Sequence, residues 1–143
     1  MTGIKTTGAT ANAAVVERMT EVYASGDFAH IEQAVLDFYT DDTIDEFPQS
    51  GEVFRGRVLA EAMSAAYNDA TGTKPTFALR EIRGRDDLWV IEGTIDYGNG
   101  TTAESVSIAE LRDGKIVRQR DYFASPFEAP EWRRPFRETP QQE

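Results

Sequence analysis

The sequence predicts an α+β fold, with helices first and a long antiparallel meander last. Apolar residues recur at helical spacing in three stretches before residue 72, whereas from residue 77 the period becomes two. The later stretches are joined by Arg85-Asp86-Asp87, Gly98-Asn99-Gly100 and Asp113-Gly114, which are hairpin signals. Helices followed by such a run of strands pack on one face of a single sheet.

Residues 1–11 are rich in Thr, Gly and Ala without an apolar period and read as a flexible tail. From Asn12, the residues Val15, Val16, Met19, Val22 and Tyr23 mark a first helix that Ser25-Gly26 ends. Asp27 caps a second, whose apolar face is Phe28, Ile31, Val35 and Phe38. His30 lies off that stripe and reads as a solvated surface residue. Ile44 to Phe47 is a short strand broken by Pro48, which cannot donate to a ladder. Gln49-Ser50-Gly51 turns the chain into a second extended piece at Val53-Phe54. After Gly56 a third helix gathers Leu59, Ala62, Met63, Ala66 and Tyr67, and residues 71–75 close it. Four strands follow over Phe77–Ile82, Leu88–Tyr97, Thr102–Leu111 and Ile116–Phe123.

Residues 12–124 therefore form one domain. Residues 125–143 carry Pro126, Phe127, Pro130, Trp132, Pro135 and Phe136. Such a segment is too aromatic for a free tail. It is expected to pack on the body or on a partner's edge through Trp132, with its end loose.

One domain is also what 143 residues allow. Fifteen Lys plus Arg against 25 Asp plus Glu give a formal charge of −10. Asp113 to Glu143 holds six of each sign, so Met1 to Arg112 carries the whole excess. That charge repels phosphate and anionic lipid, so neither nucleic acid nor membrane is an expected partner. Zero cysteines exclude disulfides, thiolate metal sites and cysteine nucleophiles, and a single histidine cannot build a His-rich metal centre. No metal or organic cofactor is expected. No apolar run approaches the ~20 residues of a membrane span and no leader pattern opens the chain, so the expected compartment is the cytoplasm.

Strand parity sorts the side chains into two sets. In the second long strand Trp89, Ile91, Ile95 and Tyr97 share one face, and Val90, Glu92, Thr94 and Asp96 the other. In the third, Val106 and Ile108 oppose Ala103, Ser105, Ser107 and Ala109. In the last, Ile116 and Tyr122 oppose Val117, Gln119, Asp121 and Phe123. One face thus groups as apolar and the other as mixed. Two arrangements fit. Either the mixed face is wet and the helices cover the apolar one, or the helices roof the mixed face. The second leaves a pocket above the small residues and an apolar face for a second subunit to cover.

The order of elements, with Pro48-Gln49-Ser50-Gly51-Glu52, Phe54-Arg55-Gly56-Arg57, Asp113-Gly114-Lys115-Ile116 and Arg120-Asp121-Tyr122-Phe123, resembles the SnoaL-like branch of the nuclear transport factor 2-like superfamily. The likeness spans about Asn12 to Phe136. It implies a cone-shaped, curved antiparallel or mixed sheet wrapped on three N-terminal helices, an internal pocket, and a homodimer through the outer face.

Reaction does not follow from fold, so the residues must decide. Ketosteroid isomerase is similar in layout, but its general-base Asp falls on Phe47, its oxyanion Tyr on Met19 and its protonated Asp on Ala109. Limonene epoxide hydrolase, with an Asp-Arg-Asp set, fits at two positions. Its Asp residues fall on Asp121 and Asp96, while the bridging Arg falls on Thr94. The Tyr and Asn that help it activate water fall on Asp45 and Phe47. Two carboxylates in a poorly hydrated pocket cannot both ionise cheaply, so one becomes an acid beside an ionised base. Asp121 and Asp96 are therefore the expected catalytic pair. Met19, Tyr23, Phe47, Phe54, Met63, Tyr67, Glu92, Thr94, Ser107, Ala109, Gln119 and Phe123 are expected to line the pocket. The expected activity is cofactor-independent acid/base chemistry on a small hydrophobic or moderately polar ligand: epoxide hydrolysis, cyclisation, dehydration or isomerisation. The alternative is a non-catalytic dimeric domain that holds a hydrophobic metabolite.

Overall fold

In the computed structural model, which describes residues 8–138, two helices precede a curved six-stranded sheet that does not close on itself, and a third is inserted after its second strand. The order is α1 (Gly8–Ala24), α2 (Phe28–Val35), a 3-10 segment (Leu36–Phe38), β1 (Tyr39–Phe47), β2 (Glu52–Arg55) and α3 (Arg57–Thr71). Then come β3 (Thr76–Arg85), β4 (Leu88–Asp96), β5 (Thr102–Arg112) and β6 (Lys115–Ala124). Spatially the strands run β2-β1-β6-β5-β4-β3. Every pairing is antiparallel except β1 with β6, which is parallel. This is the α+β class read from the sequence.

Helix α1 begins at Gly8, so residues 8–11 belong to it rather than to the expected tail. Residues 1–7, also read as tail, lie outside the described residues, as does the end from 139. The Ala-rich start favours helix, and Asn12 pins it. The Asn12 amide donates to the carbonyls of Asp86 (2.9 Å) and Leu111 (3.3 Å), and its oxygen accepts from the Gly114 amide at 2.8 Å. One buried side chain thus ties α1 to two hairpin turns. Asp113 and Gly114 both have positive φ, the geometry that a two-residue Asp-Gly hairpin needs. Asp27 caps α2 as expected, accepting from the His30 amide, and His30 is exposed.

Strand β1 starts at Tyr39, five residues before the expected start. Thr43 explains the extension: its hydroxyl donates to the Ile116 carbonyl at 2.6 Å and accepts from the Thr40 amide at 2.8 Å, which carries the chain across an irregularity in the β1–β6 register.

The helices cover the sheet face formed by Ile91, Gly93 and Ile95 of β4, Ala103, Ser105, Ser107 and Ala109 of β5, and Gln119 and Asp121 of β6, all buried. The mixed face of β5 and the Gln119 and Asp121 positions of β6 therefore point inward. Ile116, expected on the opposite face with Tyr122, is buried in the core because the β5–β6 register shifts between Glu110 and Leu111. On β4 the expectation is reversed. Ile91 stands opposite Ser107, which stands opposite Asp121, so Ile91 and Ile95 face the helices. Ile95, expected on the outer face with Val106, Ile108 and Tyr122, is 1% exposed inside the core. Packing mates the small side chains of β5 with large ones on its neighbour. Gly93 has a related role: a Cβ there would meet the Phe77 ring at 2.3 Å, so its bare backbone is what lets Phe77 lie across the sheet.

Beyond β6 the chain forms a second 3-10 segment (Glu131–Phe136) in which Arg134 pairs with Glu128 (3.3 Å) and Glu131 (3.4 Å). Phe127, Trp132 and Phe136 are 78%, 72% and 82% exposed. Trp132 does not anchor the segment on its own body as expected, because the segment is held by its own short-range contacts.

Candidate functional site

A cavity of about 330 Å3 lies between the helices and the inward face of the sheet. Its walls are mostly apolar and aromatic. α2 contributes Phe28, Ile31 and Val35, α3 Ala60, Met63 and Tyr67, and the strands Tyr39, Phe47, Phe77, Ile95 and Phe123, with Tyr23 from α1. Phe47 and Phe123 meet edge to face, 6.1 Å between centroids.

The polar groups converge at the β1–β6–β5 junction. Asp121 is 7% exposed, and its Oδ1 accepts from the Ser107 hydroxyl at 2.5 Å and from the Gln119 side-chain amide at 3.0 Å. Asp45 is the register partner of Gln119 across the parallel seam. Burial pushes the Asp45 carboxyl up to about 10, reinforced by the charge of Asp121, a side-chain hydrogen bond with Asp121 and the charge of Glu32, against a smaller opposing contribution from Tyr39. The raised Asp45 carboxyl is therefore the one that keeps its proton. From α2, Glu32 adds a third carboxyl, pushed to about 7 by burial and then by Asp121. Burial and the nearby carboxylates also push up the hydroxyls of Tyr23 and Tyr39. Asp45 Oδ1, Gln119 Oε1 and the Tyr67 hydroxyl are buried without a hydrogen-bond partner.

Of the residues expected from sequence, Asp121, Tyr23, Phe47, Met63, Tyr67, Ser107, Gln119 and Phe123 line this cavity. Asp96 does not. It is exposed at the end of β4, where its carboxylate accepts from the Gly98 amide at 2.9 Å. Glu92 and Thr94 share its outward parity: Glu92 pairs with Arg80 at 3.1 Å, and Thr94 donates to Glu104 at 3.2 Å. Met19 and Ala109 are fully buried in the core but do not reach the cavity, and Phe54 packs behind Phe47 at 5.5 Å.

Asp45 and Glu32 were not among the expected site residues, although each leaves a trace in the sequence. Asp45 shares strand parity with Phe47. Glu32 sits four residues after Phe28 and three before Val35, a carboxylate inside an apolar stripe. Among the described residues no three His, Cys, Asp or Glu side chains are grouped to hold a metal ion. No described helix is long and apolar enough to cross a membrane.

The SnoaL-like domain model matches residues 16–119, most of the chain. The protein belongs to the SnoaL-like family. A protein of the nuclear transport factor 2-like type from Burkholderia xenovorans LB400, of unknown function, shares 35% identity, with 91% of this chain and 98% of that one covered and a TM-score of 0.72. A structure from Kribbella flavida DSM 17836, described provisionally as a ketosteroid isomerase, has a TM-score of 0.75 at 16% identity over 94% and 93% of the two chains. One from Shewanella putrefaciens CN-32, described provisionally as a SnoaL-like polyketide cyclase, has a TM-score of 0.57 at 13% identity over 80% and 85%. These last two likenesses bear on the SnoaL-like fold alone. No curated protein matches the chain.

Proposed function

We propose that this SnoaL-like protein is a cofactor-independent enzyme that uses Asp45 and Asp121 as an acid/base pair on a small hydrophobic molecule. The observation that carries the reading is the convergence of Asp45, Asp121 and Glu32 at the polar end of an otherwise apolar cavity. Asp121, with two donors on one oxygen, is held as a carboxylate and serves as the base. Asp45, kept protonated beside it, serves as the acid. In an apolar cavity that division of one proton costs no solvent reorganisation. It suits reactions in which a proton leaves one substrate atom while another is delivered nearby: epoxide hydrolysis, cyclisation, dehydration or isomerisation. Asp45 takes the place that the sequence reading had given to Asp96.

The outer sheet face supports a homodimer in this reading. Val90, Val106, Ile108 and Tyr122 are half-buried on the face opposite the cavity, a surface suited to a second copy. A chain without cysteines suits a cytoplasmic enzyme as well.

A panel of epoxides and of β-hydroxy and β-keto carbonyl compounds tests the assignment. Turnover of one of them by the wild type, lost in both Asp121→Asn and Asp45→Asn with the fold retained, is the expected result. Unchanged rates in both variants would overturn the acid/base pair. Ligands that bind but are never turned over would leave a binding domain.

A further inference from the structure

Among the hydroxyl, carboxyl and amide groups at the polar end of the cavity, two buried acceptors have no donor. Gln119 is 5% exposed, and its amide nitrogen is committed to Asp121, which turns its Oε1 outward from that bond as a buried acceptor without a donor. Asp45, its register partner, keeps Oδ1 buried and equally unmet. Beside them stand Asp121 and, from α2, Glu32. No Lys, Arg or His lines the cavity among the described residues, and none of these three carboxyls takes part in an ion pair there. A set of buried acceptors under a negative field lacks donors and positive charge. Tyr23 and Tyr39, which line the same cavity, add aromatic rings, which attract cations through their faces.

We propose that the cavity takes a hydrophobic ligand ending in a protonated primary amine, whose three N–H groups are received by Gln119 Oε1, Asp45 Oδ1 and the Asp121 carboxylate. The proposal rests on the reading of this cavity as the ligand site and names the class of molecule that enters it. An ammonium group supplies three donors and a positive charge together. An alcohol supplies one donor and no charge, which leaves two acceptors unmet. A carboxylate supplies neither and is repelled by the acidic groups. The apolar remainder of the ligand lies along the wall made by Phe28, Met63 and Tyr67.

Isothermal titration at pH 7 with 4-phenylbutylamine, 4-phenylbutan-1-ol and 4-phenylbutanoate tests this on the wild-type protein, since the three probes differ only at the polar end. The amine is expected to bind at least about tenfold more tightly than the alcohol, and the acid not to bind. In Asp121→Asn and Gln119→Leu, checked for fold by near-ultraviolet circular dichroism, the amine's advantage should shrink to about threefold or less, more than any loss of the alcohol's affinity. An alcohol that binds as tightly as the amine overturns the ammonium proposal and leaves the ligand cavity standing. Failure of all three to bind overturns both. An unchanged preference for amine in both variants places the cation elsewhere and also overturns the proposal.

Discussion

Ser107 and Asp121 are direct register partners across β5 and β6, and the Ser107 hydroxyl spends its single proton on Asp121 Oδ1. With Gln119 bonded to the same oxygen, Asp121 is oriented from two strands at once. Ser107→Ala should lower stability by about 1.5–3 kcal/mol, the usual worth of a hydrogen bond to a charged group, and should slow any turnover without abolishing it. Urea denaturation reads the first effect and steady-state kinetics the second. A variant as stable as the wild type would show that the hydroxyl does not hold the carboxylate.

Stability should rise on mild acidification. Glu32 and Asp45 are pushed up to about 7 and about 10 from ordinary values of 4.5 and 3.8, so the folded chain keeps protons that the unfolded chain has released. Stability from such groups is complete below the unfolded value and disappears as pH climbs to the folded one. Glu32 acts between about 4.5 and 7, and Asp45 from 3.8 up to about 10. The melting temperature should increase by roughly 5 °C or more from pH 8 to pH 5. Glu32→Gln should flatten the curve between pH 5 and 7, and Asp45→Asn should flatten it further. A melting temperature that drops over that interval contradicts the buried acid cluster.

Asn12 is the residue whose loss the fold should feel most for its size. Asn12→Ala strips three hydrogen bonds from buried or half-buried backbone groups at two hairpin turns. The expected cost is about 2–4 kcal/mol. Differential scanning calorimetry measures it. A loss below about 0.5 kcal/mol would mean water replaces the amide without penalty.

The outer face makes a prediction of its own. If a second copy covers Val106, Ile108 and Tyr122, Ile108→Glu should convert a dimer to a monomer in sedimentation equilibrium while preserving helical content. A wild type that sediments as a monomer at high micromolar concentration removes this interface.

The fold was legible because its two periodicities are clean and its turns carry strong residues, above all Asp113-Gly114. The inward faces of β5 and β6 were legible too, so that Ser107, Gln119 and Asp121 stood out. Parity alone, however, does not say which face of one strand continues which face of the next. Grouping strands by polarity joined Asp96, Glu92 and Thr94 to the small residues of β5. Packing instead sets Ile91 against Ser107, because a small side chain leaves room for a large one. Asp45 escaped for a related reason. Its partner Gln119 lies across a parallel seam whose register no local pattern encodes.

That seam also bears on how the chain reaches its fold. Glu46 and Arg118, joined at 2.6 Å across β1 and β6, are 72 residues apart in sequence. Loops of this length close late, and a chain growing from its N-terminus has finished β1 long before β6 exists. Until then one edge of β1 has no strand to pair with and is open to other nascent chains. Asp41, Asp42, Asp45 and Glu46 place four carboxylates among its nine residues, and charge along an open edge discourages such pairing. Of these four only Asp45 ends up in the cavity; the other three guard the sheet while it is unfinished.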